Sequence, residues 1–80
     1  MENLKKYRNV FIEAFQIKEN ELEGLKYQDI VEWDSVGHMG LMTDLEEAFD
    51  IEMEIDDIID FSSFEKGIEI LNNYKITINE

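Results

Sequence analysis

The serine at position 35 is the residue in this chain best placed for chemistry. Asp34 and Ser35 both belong to the residue types that commonly begin helices. Apolar residues then follow at spacings of three and four, which predicts an amphipathic helix. Its inward face is expected to hold Val36, Met39, Met42, Leu45 and Phe49. The Ser35 hydroxyl would then lie at the positive end of the helix dipole, which suits an attached phosphate; alternatively, Ser35 only caps the helix.

His38 lies one turn beyond Ser35, on the same side of the predicted helix. It is placed to contact a phosphate on Ser35, to give partners a pH-dependent contact, or to be an exposed polar residue without a role. A Ser35–His38 pair would also suit a hydrolase. The sequence offers no third residue to orient the imidazole and no oxyanion site, so we expect a contact role at most.

The composition is that of one small acidic domain. Residues 1–80 are long enough for a single core, and the net charge of −13 would repel nucleic acid. The chain has no cysteine, which excludes disulfides, thiolate metal sites and a cysteine nucleophile. No apolar run follows the basic residues near the N-terminus, so neither a signal peptide nor a membrane span is expected. The cytoplasm is the default compartment.

The negative charge is concentrated in the middle of the chain. No lysine or arginine occurs between Lys26 and Lys66. The acidic residues of the central stretch are Asp44, Glu46, Glu47, Asp50, Glu52, Glu54, Asp56, Asp57 and Asp60. A field of one sign speeds encounter with basic surfaces and weakens with salt. The stretch is therefore either a solvated face or a docking surface for basic partners.

Two long helices and a loop are expected in the first part of the chain. Helical spacing predicts the first helix over about residues 3–16 and the second over residues 35–49, ending near Asp50. Residues 17–33 show no sustained period, which predicts a long loop that apolar side chains hold to the core, with at most one short helical turn. Gly37 and Gly40 each cost the second helix roughly 0.5–1 kcal/mol relative to alanine. These glycines reflect either sequence drift in a helix that tertiary packing holds, or the close approach of a prosthetic group or a partner.

The last part of the chain is expected to hold a short helix and a longer one. Residues 51–55 alternate between apolar and acidic, and we predict an extended connector because a lone strand would have nothing to pair with. Asp56 and Asp57 are expected to cap a brief third helix. Residues 62–65 have the pattern of a capping box, which would open a last helix reaching about Asn73. Its inward residues would be Phe64, Ile68 and Leu71, and the tail from residue 75 is expected to fray. The expected fold is all-α, a small four-helix bundle of three main helices and one short one, with a long loop after the first helix.

Three short motifs together resemble those of acyl carrier proteins. They are Asp34-Ser35, the Leu-Glu-Glu-x-Phe of residues 45–49, and Asp57-Ile58. The resemblance covers nearly the whole chain. In that family the serine after the aspartate carries 4′-phosphopantetheine through a phosphodiester bond, which implies attachment at Ser35. The resemblance also implies that Asp34 helps to hold the metal of the transferase complex, and it can cap the helix at the same time. His38, by its position, would lie beside the attached group.

The chain departs from carriers of the main fatty acid pathway in the first turns of the second helix. Those carriers usually have leucine and two acidic residues where this chain has Val36, Gly37 and Gly40. With Trp33 and His38, this region is more similar to a stand-alone carrier of a specialised biosynthetic pathway.

The resemblance also implies partners. A phosphopantetheinyl transferase (holo-carrier synthase) would load the arm, and acyl-loading and acyl-transfer or condensing enzymes with basic docking patches would act on its thioester. The chain itself would be a monomer and not an enzyme. The docking residues would be Val36, Met39, Asp44, Glu46, Glu47, Asp50, Met53, Asp56, Asp57 and Ile58, with Asp60 extending the surface.

Other functions remain open from the sequence. A carrier of aminoacyl or peptidyl groups would differ in its loading enzyme. An acidic helical interaction module would work without modification of Ser35. A calcium-binding hand is disfavoured because residues 50–61 lack the ligand spacing and central glycine of such a loop.

Overall fold

The helical periodicity of the sequence corresponds to four α-helices in a computed structural model, which describes residues 2–78. They are α1 (Glu2–Phe15), α2 (Ser35–Phe49), α3 (Ile55–Asp60) and α4 (Phe64–Asn73). The loop between α1 and α2 contains one 3-10 turn, Glu19–Glu21. Strand-like pairing among the described residues is limited to an isolated bridge between Lys26 and Ser63. The prediction of an all-α bundle with a long first loop is confirmed.

Aromatic side chains of α1 form the centre of the core. Tyr7, Phe11 and Phe15 recur every four residues and are almost completely buried. The ring of Phe11 lies 5.3 Å from that of Phe64 on α4 and 5.6 Å from that of Trp33 in the loop. The Tyr7 hydroxyl donates to the Phe64 carbonyl at 2.6 Å. One stripe of α1 therefore holds both α4 and the end of the long loop.

The long loop is anchored along its length, as predicted. Leu22, Leu25 and Trp33 are buried. Its backbone also pairs with the start of α4, since the Phe64 N–H donates to the Leu25 carbonyl at 2.9 Å. Arg8 of α1 bridges to Glu19 and to Glu23 in this loop.

The buried face of α2 differs from the predicted one in its first two turns. Leu41, Met42 and Leu45 are buried, but Val36 and Met39 are 80% and 52% exposed. Each step of three residues falls about 60° short of a full turn, so the predicted row drifts round the helix. The actual row passes through His38, a polar residue whose hydrogen bonds allow it to be half-buried. The predicted end is confirmed, since Asp50 terminates α2 in a left-handed conformation.

The caps of the last two helices are not those predicted. Glu54 precedes α3 as its N-cap, and Asp56 and Asp57 lie within its first turn. Ser63 caps α4 by accepting the Lys66 N–H at 2.9 Å. The partner expected for Ser62, Glu65, instead accepts the Gly24 N–H at 3.0 Å. The capping-box pattern located the start of α4 correctly to within one residue, but Glu65 bonds to the distant Gly24 instead of to the start of its own helix.

Residues 75–78 do not fray. Ile76 and Ile78 are both buried. Residues two positions apart in an extended segment lie on the same side of the chain, so both side chains can face the core. The Ile78 N–H donates to Asn72 Oδ1 at 3.1 Å, and the Asn3 side chain donates to the Thr77 carbonyl at 3.0 Å. The prediction of a fraying tail is wrong for these residues, and for residues 79–80 it lies outside the described chain. Within residues 2–78, no helix has the length and apolar character needed to cross a membrane.

Candidate functional site

Capping and exposure are divided between two neighbouring residues at the start of α2. Asp34 is the N-cap, and its Oδ1 accepts the Gly37 N–H at 2.8 Å. Ser35 is the first helical residue and is exposed. Within residues 2–78 its hydroxyl forms no hydrogen bond. The alternative in which Ser35 is the cap is therefore wrong, because Asp34 performs that role.

The first turn of α2 is electrostatically suited to an anion. It contains no acidic residue after the cap, and its backbone N–H groups form the positive end of the helix dipole. A negative charge at such a position is favourable by roughly 0.3–1 kcal/mol. A phosphodiester on Ser35 would therefore have one carboxylate neighbour in this turn, Asp34, which is already hydrogen-bonded to Gly37.

The two glycines of α2 have different structural settings. A Cβ atom on Gly37 would lie 1.9 Å from the backbone oxygen of Glu32, whereas one on Gly40 would have no atom within 4 Å. Gly37 thus permits close approach of the chain's own loop, which sets the direction from which Trp33 and Asp34 enter the helix. Nothing in the structure explains Gly40.

His38 connects three segments of the molecule. Its Nδ1 accepts the Trp33 indole N–H at 2.9 Å, and its Nε2 lies 2.8 Å from the Ile58 carbonyl oxygen. A carbonyl only accepts and an indole N–H only donates, so the ring is neutral with its proton on Nε2. The two hydrogen-bonded rings are nearly coplanar, with an angle of 15° between their planes and centroids 6.2 Å apart.

These bonds exclude two of the roles predicted for His38. Both ring nitrogens are occupied, so the imidazole is neither an exposed polar group nor a free base for Ser35. Binding a phosphate through either nitrogen would break a bond to Trp33 or to Ile58. His38 is a connecting residue beside the site, and the hydrolase alternative loses its base.

An apolar cleft of about 360 Å³ lies between α2 and α3 next to Ser35. The residues that line it are Tyr27, Ser35, His38, Met39, Ile58, Ile59, Phe61 and Ser62. Four of them, Tyr27, Ile59, Phe61 and Ser62, were not anticipated from the sequence, because three lie in loops whose position only the folded chain defines. A wider depression of about 530 Å³ on α1 is bordered mainly by charged and polar side chains and lies away from Ser35.

The predicted docking residues fall into three groups. Asp44, Glu47, Asp50, Asp56 and Asp60 are exposed, as are Val36 and Met39. Glu46 and Asp57 have internal partners, since Glu46 accepts the Met53 N–H at 2.8 Å and Asp57 accepts the Tyr74 hydroxyl at 2.6 Å. Met53 is only 8% exposed, so its predicted docking role is wrong, and Ile58 is half-buried in the cleft.

Several exposed apolar side chains lie just before α2, in its first turns and on α3. In addition to Val36 and Met39 they include Val31, Ile55 and Ile59, which are 87%, 72% and 73% exposed. The sequence alone did not single out these three, although Ile55 and Ile59 are four apart on one helix. Isolated exposed apolar residues are ordinary. Of this group, Met39 and Ile59 line the same cleft as Ser35.

Comparison of the chain with protein-family models, with curated proteins and with solved structures gave no match. Within residues 2–78, no group of three or more histidine, cysteine or acidic side chains is arranged to hold a metal ion.

Proposed function

We propose that this chain is an acyl carrier protein that holds acyl groups as thioesters on a 4′-phosphopantetheine arm attached to Ser35. The observation that carries the proposal is that Asp34, and not Ser35, caps α2. Because Asp34 caps the helix, the Ser35 hydroxyl is exposed and uncommitted among the described residues. The motifs that resemble carrier proteins include this same Asp-Ser pair.

The loading step requires only an accessible hydroxyl from this chain. The Ser35 oxygen attacks the phosphorus of coenzyme A that bears the pantetheine, and adenosine 3′,5′-bisphosphate leaves. A base of the transferase takes the hydroxyl proton, so the occupied state of His38 is no obstacle. The product carries a phosphodiester anion at the positive end of α2.

The cleft beside Ser35 favours an acyl cargo over an aminoacyl one. Its lining is mostly carbon and contains no carboxylate that would pair with the ammonium group of an amino acid. Apolar atoms of a cargo that folds back against Met39 and Ile59 would leave water. Aminoacyl and peptidyl carriers remain the nearest alternative.

Partner enzymes would read the surface around the attachment point. Exposed carboxylates lie on both helices that border the cleft. Asp56 and Asp60 are on α3, whereas Asp44 and Glu47 lie farther along α2, where they border a depression beside α1. Val36 and Met39, in the first turns of α2, are exposed as well. This arrangement suits a partner with an apolar centre and a basic rim, and the attraction would weaken with salt. In this proposal the carrier acts as a cytoplasmic monomer in a specialised pathway.

Intact-mass spectrometry tests the proposal directly. The folded chain is incubated with coenzyme A, magnesium and a broad-specificity phosphopantetheinyl transferase, and a gain of one phosphopantetheinyl group is expected. Ser35→Ala should gain nothing, whereas the matched variant Ser62→Ala, altered at a second serine of the same cleft, should be loaded. A folded wild-type chain that stays unmodified would contradict the proposal and favour an unmodified acidic interaction module. Circular dichroism of each variant confirms that the fold is retained.

A further inference from the structure

The short helix α3 makes polar contacts with the rest of the molecule near its two ends, and between them Ile58 packs against the core. None of its residues is fully buried, and Ile55 and Ile59 are more than two-thirds exposed. At its start, the Tyr74 hydroxyl accepts the Glu54 N–H and donates to Asp57. At its end, the Ile58 carbonyl accepts the His38 Nε2–H. Elements with so little buried apolar area open at low free-energy cost.

The contact at the end of α3 depends on the charge state of one histidine. His38 bridges Trp33 and Ile58 only as the neutral ring with the proton on Nε2. A second proton on Nδ1 would point an N–H at the indole N–H of Trp33. The imidazole is rigid, so turning Nδ1 away from the indole also moves Nε2 away from the Ile58 carbonyl.

The indole is the less movable of the two partners. Trp33 is completely buried, and its ring lies 5.6 Å from that of Phe11 and 5.3 Å from that of Phe15. Ile58, by contrast, belongs to the helix with no fully buried residue. Loss of the bridge therefore displaces α3 before it displaces the core.

We propose that His38 is a proton-operated latch: its protonation frees α3 from α2 and opens the cleft beside Ser35. The proposal concerns the unmodified chain and does not rest on the attachment of any group to Ser35. Histidine is the side chain whose charge ordinarily changes between pH 5 and 8.

Among the described residues, no carboxylate is ion-paired with the His38 ring. The ion pairs among the described residues involve Arg8 and Lys66, and none includes His38. The rings that face it are those of Trp33, Tyr27 and Phe61. The titratable groups nearest in sequence to its contacts are Tyr27, Asp29, Glu32, Asp34, Asp57 and Asp60. Of the carboxylates, Asp34 is bonded to Gly37 and Asp57 to Tyr74, while Asp29 accepts the Lys26 N–H.

Amide hydrogen exchange measured by NMR on the unmodified chain tests the latch. Protection factors, corrected for the intrinsic exchange rate, are compared from about pH 7.5 to about pH 5. The closed state does not bind the second proton, so protection at Ile58 and Phe61 should fall as acid protonates the open state, by at most about tenfold per pH unit. Amides in the middle of α4 should keep theirs. The imidazole resonances of this histidine, the only one in the chain, report its protonation in the same samples.

Two variants separate the latch from the titration of the many carboxylates. His38→Gln has no titratable ring, so acid should leave the protection of α3 unchanged. Trp33→Phe keeps the histidine but removes the opposing N–H, and should also uncouple α3 from pH. Equal acid-induced loss in the wild type and in His38→Gln would overturn the proposal. So would a wild-type chain in which His38 titrates while α3 stays protected, a result that needs no variant.

Discussion

Substitution of the two glycines of α2 by alanine tests how closely the long loop approaches this helix. At Gly40 a Cβ atom meets nothing within 4 Å, so Gly40→Ala should show only the ordinary helix preference for alanine. That preference raises the free energy of unfolding by roughly 0.5–1 kcal/mol. Gly37→Ala has the same local benefit, but its Cβ atom would lie 1.9 Å from the Glu32 carbonyl oxygen.

The size of the Gly37 effect follows from what must move. Ordinary van der Waals contact begins near 3.4 Å, so the Glu32 carbonyl must retreat by about 1.5 Å. It cannot do so alone, because the next residue, Trp33, is completely buried and its N–H donates to the Ile30 carbonyl. Overpacking of this kind costs roughly 1–3 kcal/mol. Because helix preference cancels between the variants, Gly37→Ala should be less stable than Gly40→Ala by about 1–3 kcal/mol.

Urea unfolding measures this difference. Helix content and Trp33 fluorescence should give coincident transitions, and equal denaturant slopes would show that the unfolded states are comparable. For a domain of this size the difference corresponds to about 4–8 °C in Tm per kcal/mol. If Gly37→Ala were as stable as Gly40→Ala, the Glu32 carbonyl would not lie against α2, and the account of how the loop positions Ser35 would be wrong.

Three further perturbations test the N-cap of α2, the hydrogen bond between Tyr74 and Asp57 of α3, and the net negative charge of the chain. Asp34→Ala should lower the free energy of unfolding, measured in urea, by about 0.5–2 kcal/mol because it removes the cap. Ser35→Ala should change it by less than about 0.5 kcal/mol. Equal losses would contradict the assignment of the cap to Asp34. Burial and the hydrogen bond to Asp57 raise the pKa of Tyr74. The resulting stabilisation is complete below the unfolded phenol's pKa of about 10 and is lost as pH rises through the higher native value, so wild type should lose stability at alkaline pH relative to Tyr74→Phe. Parallel stability curves for these two proteins above about pH 9 would exclude the effect. With a net charge of −13, Tm should rise with sodium chloride or divalent cations because both screen the repulsion, and a flat salt series would argue against self-repulsion.

Local pattern located the elements well, and its errors have specific causes. The second helix was predicted with the bounds it has, Ser35–Phe49, because an Asp-Ser start and a periodic apolar row both act within one or two turns. The cap of α4 was misplaced by one residue because Glu65 binds the distant Gly24 N–H instead of its own helix start. The buried tail was missed because Ile76 and Ile78 are too few to form a pattern without the surface on which they lie.

The sequence predicted the exposed Ser35 of the candidate site but not the residues that form the cleft beside it. Ser35 was singled out from its neighbours in sequence, since an exposed hydroxyl at a helix start is a local property. The cleft beside it joins Tyr27, Met39 and Ile59, which are distant in sequence and meet only after α3 packs near α2. The role of His38 was also hidden, because both of its hydrogen bonds extend beyond its own helix.

The sequence by itself determined the helices, the acidic charge and the position of the exposed hydroxyl, because periodicity, capping and net charge are properties of neighbouring residues. Only the tertiary structure decided which face of α2 is buried, which acidic residues have internal partners, and that a neutral imidazole joins the long loop to α3. These outcomes depend on contacts between segments far apart in the chain. Such contacts are selected by how whole side chains fill a common core and by whether each buried polar group finds a partner.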